Sequence, residues 1–540
     1  MFMYDKFARS VCSVLKIALL LISIPVPLLA YEMGGVSDSG KQISTDDIPD
    51  VSIEDFQHIA VRDHTPYDRK LELLKRHINL PPKIEDPSIS LNEDTSSEYL
   101  SPLIQAASLL KNFKGILQTD LTAPYTDITP PDSTLAVGPN HVVVMVNGAW
   151  AIYDKNGNRL YIKNLKDWWT GVSPPGSPVD PKVIYDNHAG RWVMIAIAVD
   201  KNAKKSSYLL SVSDDSDPLG SWWSWNLDAT LDNSTSTSNW ADYPQLGFDD
   251  ASAVYITSNQ FSFSGDNFNY TKLRIIKKSD LYWVGTGKSF SWYDIWDMKN
   301  EGLFGSKVFT LQPVHSLSKP GVEYFVNNVG YNTSGDTITL WKMTNPTSSN
   351  PTLTLLKSIY IGKYSIPPYA KQKGGTVTVH TGDCRLLNAV YNMNRIYTTF
   401  TEAYNWGSGT VSRIRIIVID TNTLSTIFNG GYGADNFFYY YPAIYTDFYD
   451  NFTFVFNRSS STEYVGIRYS GKLSTENVIQ YSALLKAGDA YYVKYDTKNR
   501  NRWGDYSGIG LDPTDGSVWI YSEYAVGAST WGTWIGRTKH

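Results

Sequence analysis

The chain has 540 residues, of which 14% are aromatic and 39 are glycines, far more than one small hydrophobic core requires. The formal net charge is −5 at pH 7. The chain therefore has no overall positive charge with which to hold nucleic acid or anionic lipid, and we expect no nucleic-acid partner.

Residues 1–30 are typical of a secretory signal peptide, because positive charges are followed by an apolar run over 17–30 that ends in Leu28-Leu-Ala30. The run is short for a bilayer, so an uncleaved anchor is the alternative, and no later segment predicts a membrane span. Cleavage would remove Cys12 and leave Cys384 without a disulfide partner. This composition suits a secreted or periplasmic protein of the bacterial envelope.

Residues 31–112 predict an N-terminal extension that is partly helical. Residues 31–64 are polar and acidic and show no clear period. Residues 66–80 have the pattern of an amphipathic helix that starts near Pro66, and a second helical pattern covers about 97–112. The extension is interpreted as a cap on the main domain or, alternatively, as a propeptide or docking segment.

From residue 113 to 540 the apolar period changes to that of β-strands. The clearest unit begins at Asp505, turns at 513–516 and continues to Glu523. Its first half recurs as Asp242-Tyr-Pro-Gln-Leu-Gly-Phe-Asp249, and more loosely at 180–186 and 441–447. Strand units repeated at a spacing of about 40–60 residues are typical of a radial β array.

Seven such units predict an all-β fold, a β-propeller of seven four-stranded blades. The predicted units span 132–163, 180–228, 242–283, 309–360, 383–428, 441–485 and 505–537. The last unit shows only three strands, and the extended segment 113–123 is the natural donor of its fourth strand. A long insert over 285–305 carries Trp292, Trp296 and Phe304 as candidates for exposed aromatic residues.

Several segments resemble a family of poorly characterised secreted bacterial proteins. They are Phe113-Lys-Gly-Ile, Pro130-Pro-Asp-Ser-Thr-Leu-Ala-Val-Gly-Pro-Asn-His141, Ala151-Ile-Tyr-Asp-Lys-Asn-Gly-Asn158, Arg191-Trp192, Asp242-Tyr-Pro, Arg468-Tyr-Ser and Arg502-Trp-Gly-Asp-Tyr-Ser507. The resemblance covers about 113–537. It implies a secreted β-propeller with sialidase-like (BNR, or Asp-box-type) repeats, and it implies no established activity.

Two short segments are similar to known turns. Residues 213–222 are similar to the Asp-box of sialidase-type propellers and to a turn of arabinanase-type glycosidases, although Pro218 and Leu219 disrupt the Asp-box spacing. Such turns brace a blade edge. Residues 154–158 carry alternate oxygens suited to Ca²⁺ but lack a downstream Glu, so they are interpreted first as a hairpin turn. We predict no metal site and no cofactor, with calcium as the alternative.

The repeat also predicts where ligand chemistry would occur. Connections that enter the innermost strands and those that leave the second strands open on the same face of a propeller. We expect both sets to ring one mouth of the central channel. The first set is Asp132, Asp180, Asp242, Asp383 and Asp505, and the second includes Asn147, Asp200, Asn259, Asn327, Glu402, Asn457, Arg458 and Glu523. The structural alternative is that these groups hold backbone N–H groups and join one blade to the next.

Carboxylates, amides and aromatic rings together are suited to sugar hydroxyls and sugar faces. The candidate catalytic residues are Asp132 or Asp242 paired with Glu402 or Glu523, since glycoside hydrolysis needs two carboxyl groups. The candidate ligand-binding residues are Asp180, Asn259, Asn327, Arg458, Asp505 and Trp406. The sequence therefore predicts a propeller that binds a glycan or a cell-surface protein. The alternatives are a glycoside hydrolase of sialidase or arabinanase type and a structural envelope scaffold.

Overall fold

The computed structural model describes residues 105–122, 125–282, 289–301 and 305–540, and the backbone of two short strands. The predicted signal peptide and the predicted helix over 66–80 lie outside the described residues. Within the described part of the chain, no helix is long and apolar enough to cross a membrane.

Three strands precede the first blade: β1 (Lys41–Ser44), β2 (Lys83–Glu85) and β3 (Ser108–Leu117). β1 and β2 lie on the outer edges of two blades formed later in the chain. The helical prediction over 97–112 is wrong at 108–112, which belong to β3. Pairing with a sheet edge outweighs the local helical pattern there, because helix preference is weak compared with tertiary context.

The described residues form seven four-stranded blades, which confirms the predicted propeller. Blade one contains β4 (Thr134–Val137), β5 (His141–Val146), β6 (Ala149–Asp154) and β7 (Arg159–Asn164). Blade two contains β8 (Val179–Asp186), β9 (Arg191–Asp200), β10 (Lys205–Ser213) and β11 (Ser221–Asp228), with β1 outside β11. A small ladder follows, formed by β12 (Leu231–Asp232) and β13 (Thr235–Ser236).

Blades three to five come next along the chain. Blade three contains β14 (Asn239–Phe248), β15 (Ala253–Ser262), β16 (Phe268–Lys277) and β17 (Trp292–Trp296). Blade four contains β18 (Gln312–Pro313), β20 (Glu323–Asn328), β21 (Ser334–Thr344) and β22 (Thr352–Ser365); between its first two strands, β19 (His315–Ser316) pairs with blade five. Blade five contains β23 (Asn388–Asn392), β24 (Arg395–Asn405), β25 (Thr410–Asp420) and β26 (Ser425–Gly433), with β2 outside β26.

The last two blades complete the ring. Blade six contains β27 (Phe437–Thr446), β28 (Phe452–Ser460), β29 (Glu463–Lys472) and β30 (Ala483–Lys486). Blade seven contains β31 (Gly508–Leu511), β32 (Val518–Gly527) and β33 (Thr530–Lys539), and β3 is its outer strand. The predicted strand donation is thus confirmed, although the donated strand begins five residues earlier than the predicted segment.

Helical structure among the described residues is limited to short turns between strands. They are α1 (Leu165–Trp169), α2 (Lys278–Leu281) and the 3₁₀ turns Gln118–Asp120, Tyr125–Asp127 and Thr170–Val172.

The innermost strands of successive blades contact one another around a closed ring, in the order β4, β8, β14, β18, β23, β27 and β31, and β31 returns to β4. Each blade is therefore covered on both faces, which explains why β5 is a nearly continuous apolar run rather than an alternating one. Between blades one and two, Trp150 packs edge-to-face against Trp168 of α1 and Trp222, with ring centroids 4.7 and 5.7 Å apart.

One predicted boundary differs from the structure. The outer strand of blade three is β17, which comes from the segment predicted to be an insert, and the predicted end of that unit near residue 283 is too early. Trp292 is buried rather than exposed, because its ring packs against the Arg274 guanidinium at 4.1 Å. Trp296 is half-buried, and Phe304 lies outside the described residues.

Candidate functional site

A repeated irregularity of the innermost strands directs side chains toward the central axis. In blades two, three and six the pairing with the second strand shifts by one residue, because two residues of the innermost strand lie opposite one residue of the second. The two residues are Asp180-Pro181, Tyr243-Pro244 and Tyr441-Pro442. The first residue of each pair has a positive φ, at 52°, 52° and 49°. Such a backbone is costly for a residue with a side chain, and it re-aims that side chain out of the sheet. All three side chains line one cavity.

The cavity has a volume of about 310 Å³ and lies where the innermost strands begin, at one end of the channel. It is lined by residues of blades two to six and by the connections that lead into blades five and seven. The lining residues are Asp180, Asp242, Tyr243, Tyr331, Asn332, Ile366, Tyr369, His380, Thr381, Gly382, Asp383, Arg385, Leu387, Thr401, Tyr441, Arg500, Arg502 and Asp505. A cavity of this size lies at the lower end of the range, about 300–1,000 Å³, found for small-molecule sites.

Each arginine of the cavity has a carboxylate of its own. Arg385 binds Asp383 through two nitrogens, with Nε–Oδ1 and Nη2–Oδ2 distances of 2.8 and 2.6 Å. Arg502 donates from Nη2 to Oδ2 of Asp505 at 2.7 Å, and Arg500 lies 2.7 Å from a carboxylate of the connection before blade seven. The arginines are therefore locally neutralised.

Asp180 and Asp242 have no such cation. Oδ2 of Asp180 accepts a weak hydrogen bond from the Tyr243 backbone N–H at 3.3 Å. Asp242 is 4% exposed, and its Oδ2 has no hydrogen-bond partner among the described residues. Burial, and then the charge of Asp505, raises the pKa of Asp180 to about 6. Burial and the charge of Asp180 raise the pKa of Asp242 well above its usual range.

Behind the cavity lies a second layer of fully buried groups. Asp132 accepts a hydrogen bond from Asn147 at 2.7 Å, and burial followed by the charges of Asp505 and Asp180 raises its pKa. Glu523 accepts a hydrogen bond from Ser133 at 2.7 Å, and burial raises its pKa to about 8. These two carboxyl groups support the channel wall and are not among the groups that line the cavity.

Lys182 supplies the cation of this inner layer. Its Nζ lies 3.0 Å from the centroid of the Tyr506 ring. Burial lowers the pKa of Lys182 to about 7, although Asp132 and Asp180 oppose that shift. The amine of Lys182 therefore interacts electrostatically with several buried carboxyl groups, and the inner layer contains more acidic than basic side chains.

His380 is held as a neutral acceptor at the cavity wall. Its Nδ1 lies 3.3 Å from both Arg502 Nη1 and the Gly382 backbone nitrogen, which are donors. Burial and the charge of Arg502 lower the pKa of His380 to about 3. Near neutral pH this imidazole carries no positive charge and is not a general acid.

Four of the predicted residues line the cavity, and most of the others lie elsewhere. The four are Asp180, Asp242, Asp383 and Asp505. Glu402 lies in the sheet of blade five, where it accepts a hydrogen bond from Arg413 Nε at 2.7 Å and another from Arg415 Nη1 at 3.1 Å. Arg413 also stacks on Tyr404 at 3.5 Å, and Trp406 packs against Tyr404. Glu402 and Trp406 are thus part of a buried packing cluster, away from the cavity.

The predicted second-strand amides brace the blades. Asn259 accepts the backbone N–H of Thr310 in the next blade at 2.8 Å. Asn327 donates to Asn300 at 2.9 Å and accepts from a tryptophan of its own blade. Arg458 pairs with Glu463 within one hairpin at 2.6 Å. These second-strand side chains therefore bond to a neighbouring blade or within their own hairpin. Among the described residues that line the cavity, Thr401 is the one that belongs to a second strand.

The two motif-like turns are structural. Oδ1 of Asp154 accepts the backbone N–H groups of Asn156 and Asn158 at 2.8 and 2.9 Å, which is the predicted hairpin turn. Residues 213–222 join β10 to β11, and Trp222 Nε1 donates to the Pro218 carbonyl at 2.9 Å. Among the described residues, no three His, Cys, Asp or Glu side chains are grouped so as to hold a metal ion.

Sequence reasoning did not single out Tyr243, Tyr441, Tyr369, Arg385 or Lys182. The tyrosine–proline pairs at 243 and 441 occupy the position of Asp180-Pro181 in the repeat, and this shared proline is the signal that would have found them. Tyr369 lies in the long connection 366–387, which has no strand period and so gives no positional signal.

Fold and site together define a seven-bladed β-propeller with a strained, carboxyl- and tyrosine-lined cavity at one end of its channel. No protein-family model and no curated protein matches the chain, so membership of the resembled family stays a prediction.

Three solved structures are similar to the chain at low identity. A protein of unknown function from Dyadobacter fermentans is 9% identical, with a TM-score of 0.39, over 81% of this chain and 100% of that chain. A PL25 ulvan lyase in complex with a saccharide is 10% identical, with a TM-score of 0.37, over 68% and 84%. The α-L-arabinofuranosidase of Fusarium graminearum, in complex with arabinobiose, is 10% identical, with a TM-score of 0.35, over 79% and 98%.

Proposed function

We propose that this propeller binds a glycan in the cavity lined by Asp180, Asp242 and Tyr243. The observation that carries the proposal is that Asp242 lines the cavity and that its buried Oδ2 has no hydrogen-bond partner among the described residues. A buried carboxyl oxygen without a partner is costly, and a ligand hydroxyl would satisfy it. The half-exposed ring of Tyr369 at the cavity rim adds a face on which a sugar can stack.

A glycan array tests this proposal with the wild type, Asp242→Asn and Asp280→Asn. Asp280 is an exposed carboxylate of α2, remote from the cavity, so its variant is the matched control. We expect glycan binding by the wild type and the control and its loss in Asp242→Asn with an unchanged circular dichroism spectrum. Equal binding by all three proteins would place the glycan site elsewhere.

A second candidate function is glycoside hydrolysis, and one observation favours it. Asp180 and Asp242 line the same cavity, and neither is bound by an arginine. Burial and nearby charge raise the pKa of Asp180 to about 6 and the pKa of Asp242 well above its usual range. Near neutral pH, Asp180 is then mostly ionised, while the upward shift in the pKa of Asp242 favours its protonated form. This is the division of roles between a base or nucleophile and a general acid. Asp180 and Asp242 replace the pairs predicted from the sequence, because Glu402 is held by two arginines and neither Asp132 nor Glu523 lines the cavity.

A panel of chromogenic glycosides separates hydrolysis from binding alone. Turnover by the wild type should increase as pH rises through about 6, where Asp180 ionises. Asp180→Asn should lower kcat by about 10²–10⁴-fold while glycan binding persists. Binding without turnover on any glycoside would reject the hydrolase and leave the binding function in place.

We also infer that the protein acts in the periplasm or outside the cell, on the basis of the sequence of residues 1–30. Cell fractionation with N-terminal sequencing of the mature protein tests this; an intact Met1 in the cytoplasmic fraction would contradict it. A scaffold role has less support, because Trp292, a candidate for an exposed aromatic residue on a docking face, is buried.

A further inference from the structure

We propose that a second cavity, at the opposite end of the channel from the first, binds an uncharged aromatic molecule that carries a hydroxyl group. This site goes beyond the glycan-binding function proposed above and does not depend on it. The innermost strands reach both ends of the channel: β8, for example, places Asp180 at the first cavity and Ile184 at the second. Lys182 lies between these two residues in the strand, with its Nζ 3.0 Å from the centroid of the Tyr506 ring. The described residues that line the two cavities form separate sets.

The second cavity is apolar and larger than the first. Its volume is about 440 Å³, against about 310 Å³ for the first cavity, and it fits the range of small-molecule sites. Leu135, Ile184 and Ile509, from three different blades, are among its aliphatic walls. The described lining includes no Asp, Glu, Lys or Arg side chain, whereas that of the first cavity has four aspartates and three arginines. A charged ligand would therefore be buried there without a counter-charge, which is costly.

His315 provides a hydrogen-bond acceptor in this apolar wall. Its Nε2 lies 3.1 Å from the Leu246 carbonyl oxygen, and because a carbonyl oxygen only accepts, Nε2 carries the proton and Nδ1 is the acceptor. Nδ1 has no hydrogen-bond partner among the described residues. Burial lowers the pKa of His315 to about 4, so near neutral pH the ring is uncharged and Nδ1 keeps its lone pair.

Tyr445 provides a donor in the same cavity. Its hydroxyl has no hydrogen-bond partner within the described part of the chain. Burial raises the pKa of Tyr445 above its usual value, so the hydroxyl keeps its proton. Neither this hydroxyl nor Nδ1 of His315 is among the fully buried polar atoms that lack a partner, and both side chains line the cavity, so a ligand can reach them. One donor and one acceptor without charge are suited to a ligand hydroxyl.

The rim of the second cavity carries a strained apolar side chain that is exposed. Met393 is 57% exposed and is the first of two residues in the hairpin turn between β23 and β24, with a φ of 44°. Such a turn favours Asn or Gly at this position. Leu424 also has a positive φ, 51°, but it packs against a hydrophobic core cluster of blades four and five. Met393 has no such packing among the described residues, and a ligand against its thioether would supply it.

Aromatic side chains favour an aromatic ligand over an aliphatic one. Phe448 lines the cavity and is 40% exposed, and the ring of His315 is stacked on Phe248 with centroids 6.1 Å apart. Offset or edge-to-face contacts between rings, and contacts between a thioether and a ring, add to the stabilisation from burial alone.

The experiment is equilibrium dialysis at pH 7 with three probes. They are 2-naphthol, 2-naphthalenesulfonate and glucose, which are an uncharged aromatic alcohol, an anion with the same rings and an uncharged polyol. We expect 2-naphthol to bind about tenfold or more tightly than the sulfonate, because the cavity offers no cation to offset desolvation. Glucose should not displace it.

Four variants locate the site. Tyr445→Phe should weaken 2-naphthol binding about two- to tenfold through the lost hydrogen bond. Met393→Asn should weaken it about fivefold through lost apolar contact, without lowering Tm, because Asn tolerates a positive φ. Val478→Asn is the matched control, since Val478 is 56% exposed and lies outside the cavity. Val478→Asn and Asp242→Asn, which changes the first cavity, should both bind 2-naphthol as the wild type does.

The other outcomes would overturn the proposal. Absence of 2-naphthol binding at about 1 mM would reject the second site while glycan binding in the first cavity stands. Equally tight binding of the sulfonate would reject selection of an uncharged ligand. Unchanged affinity in both Tyr445→Phe and Met393→Asn, or loss of binding in Asp242→Asn, would place 2-naphthol elsewhere. Tyr445→Phe removes no hydrogen bond of the described chain, so the test does not depend on a variant that fails to fold.

Discussion

Asn147, at the end of the second strand of blade one, accepts the backbone N–H of Asp180 in blade two at 2.8 Å. The same side chain donates to Asp132 at 2.7 Å and to the Pro130 carbonyl at 2.9 Å. One amide therefore fixes the positive-φ backbone of Asp180 and the inner carboxyl Asp132 at once. The cavity keeps its shape through such contacts between blades.

Asn147→Ala should therefore destabilise the protein by about 2–4 kcal/mol, because it leaves three buried polar groups without a partner. Denaturant unfolding measures the change. The matched control is Asn226→Ala, which loses hydrogen bonds to Val172 and Ser173 near the surface and should cost less than about 1 kcal/mol. Equal losses of unfolding free energy in the two variants would show that the buried hydrogen bonds of Asn147 contribute no more than those of Asn226 near the surface.

Glu402→Gln should destabilise the protein strongly, by about 3–5 kcal/mol, because Arg413 and Arg415 would remain buried without a counter-charge. Glu463→Gln removes the half-exposed partner of Arg458 and should cost about 1 kcal/mol or less. Chemical denaturation compares the two variants. A Glu402→Gln protein that is as stable as the wild type but no longer binds ligand would contradict this structural role and assign Glu402 to ligand binding.

Glu523→Gln should become more stable relative to the wild type as pH rises. Burial raises the pKa of Glu523 in the folded protein from 4.5 to about 8. Its contribution to the free energy of unfolding is therefore full below about pH 4.5 and is lost as the pH rises toward 8. The loss is about 1.4 kcal/mol per pH unit, or about 2–3 kcal/mol between pH 5 and 7.

Unfolding of wild type and variant at pH 5 and 7 gives this difference. The lowered pKa values of His380 and His315 make the free energy of unfolding increase with pH. Both histidines are present in wild type and variant, so their contribution drops out of the difference. Glu301→Gln, at an exposed position, is the control for the loss of a carboxyl group. A constant gap between wild type and Glu523→Gln would mean that Glu523 is ionised throughout this range.

Gly115→Ala should weaken the attachment of β3 to blade seven. A Cβ at this position would lie 2.7 Å from Cε2 of Tyr521 and would also overlap Thr533. We expect a loss of about 1–3 kcal/mol from overpacking. Gly171→Ala is the control, since a Cβ there meets nothing within 4 Å; thermal unfolding that affects both variants equally would contradict the prediction.

The repeat predicted the blades because each blade carries its own local pattern of strand and turn. Asp249, for example, accepts backbone N–H groups in the first hairpin turn of blade three at 2.9 and 3.0 Å, and such Asp-rich turns recur along the chain. The strand β17 was missed because it follows a long connection rather than a tight turn. Length alone made that segment resemble an insert.

The site was only partly predictable for a geometric reason. Asp180, Asp242 and Asp505 stand where the innermost strands begin, so topology brings them together. Glu402 has equally suitable chemistry, but its environment depends on two arginines of the adjacent strand, and pairing register is not visible in one sequence. Tyr369 and His380 come from an irregular connection, whose path depends on tertiary contacts.

The pairing of β3 with β33 also constrains the order of assembly. The Thr533 hydroxyl donates to the Ile116 carbonyl across 417 positions of sequence. Blade seven therefore cannot be completed until Thr530–Lys539 has been synthesised. The other six blades can form before the ring of blades is closed. Until that moment the nascent chain carries an open gap with unpaired strand edges, so the interval before closure is when association with other chains is most favoured.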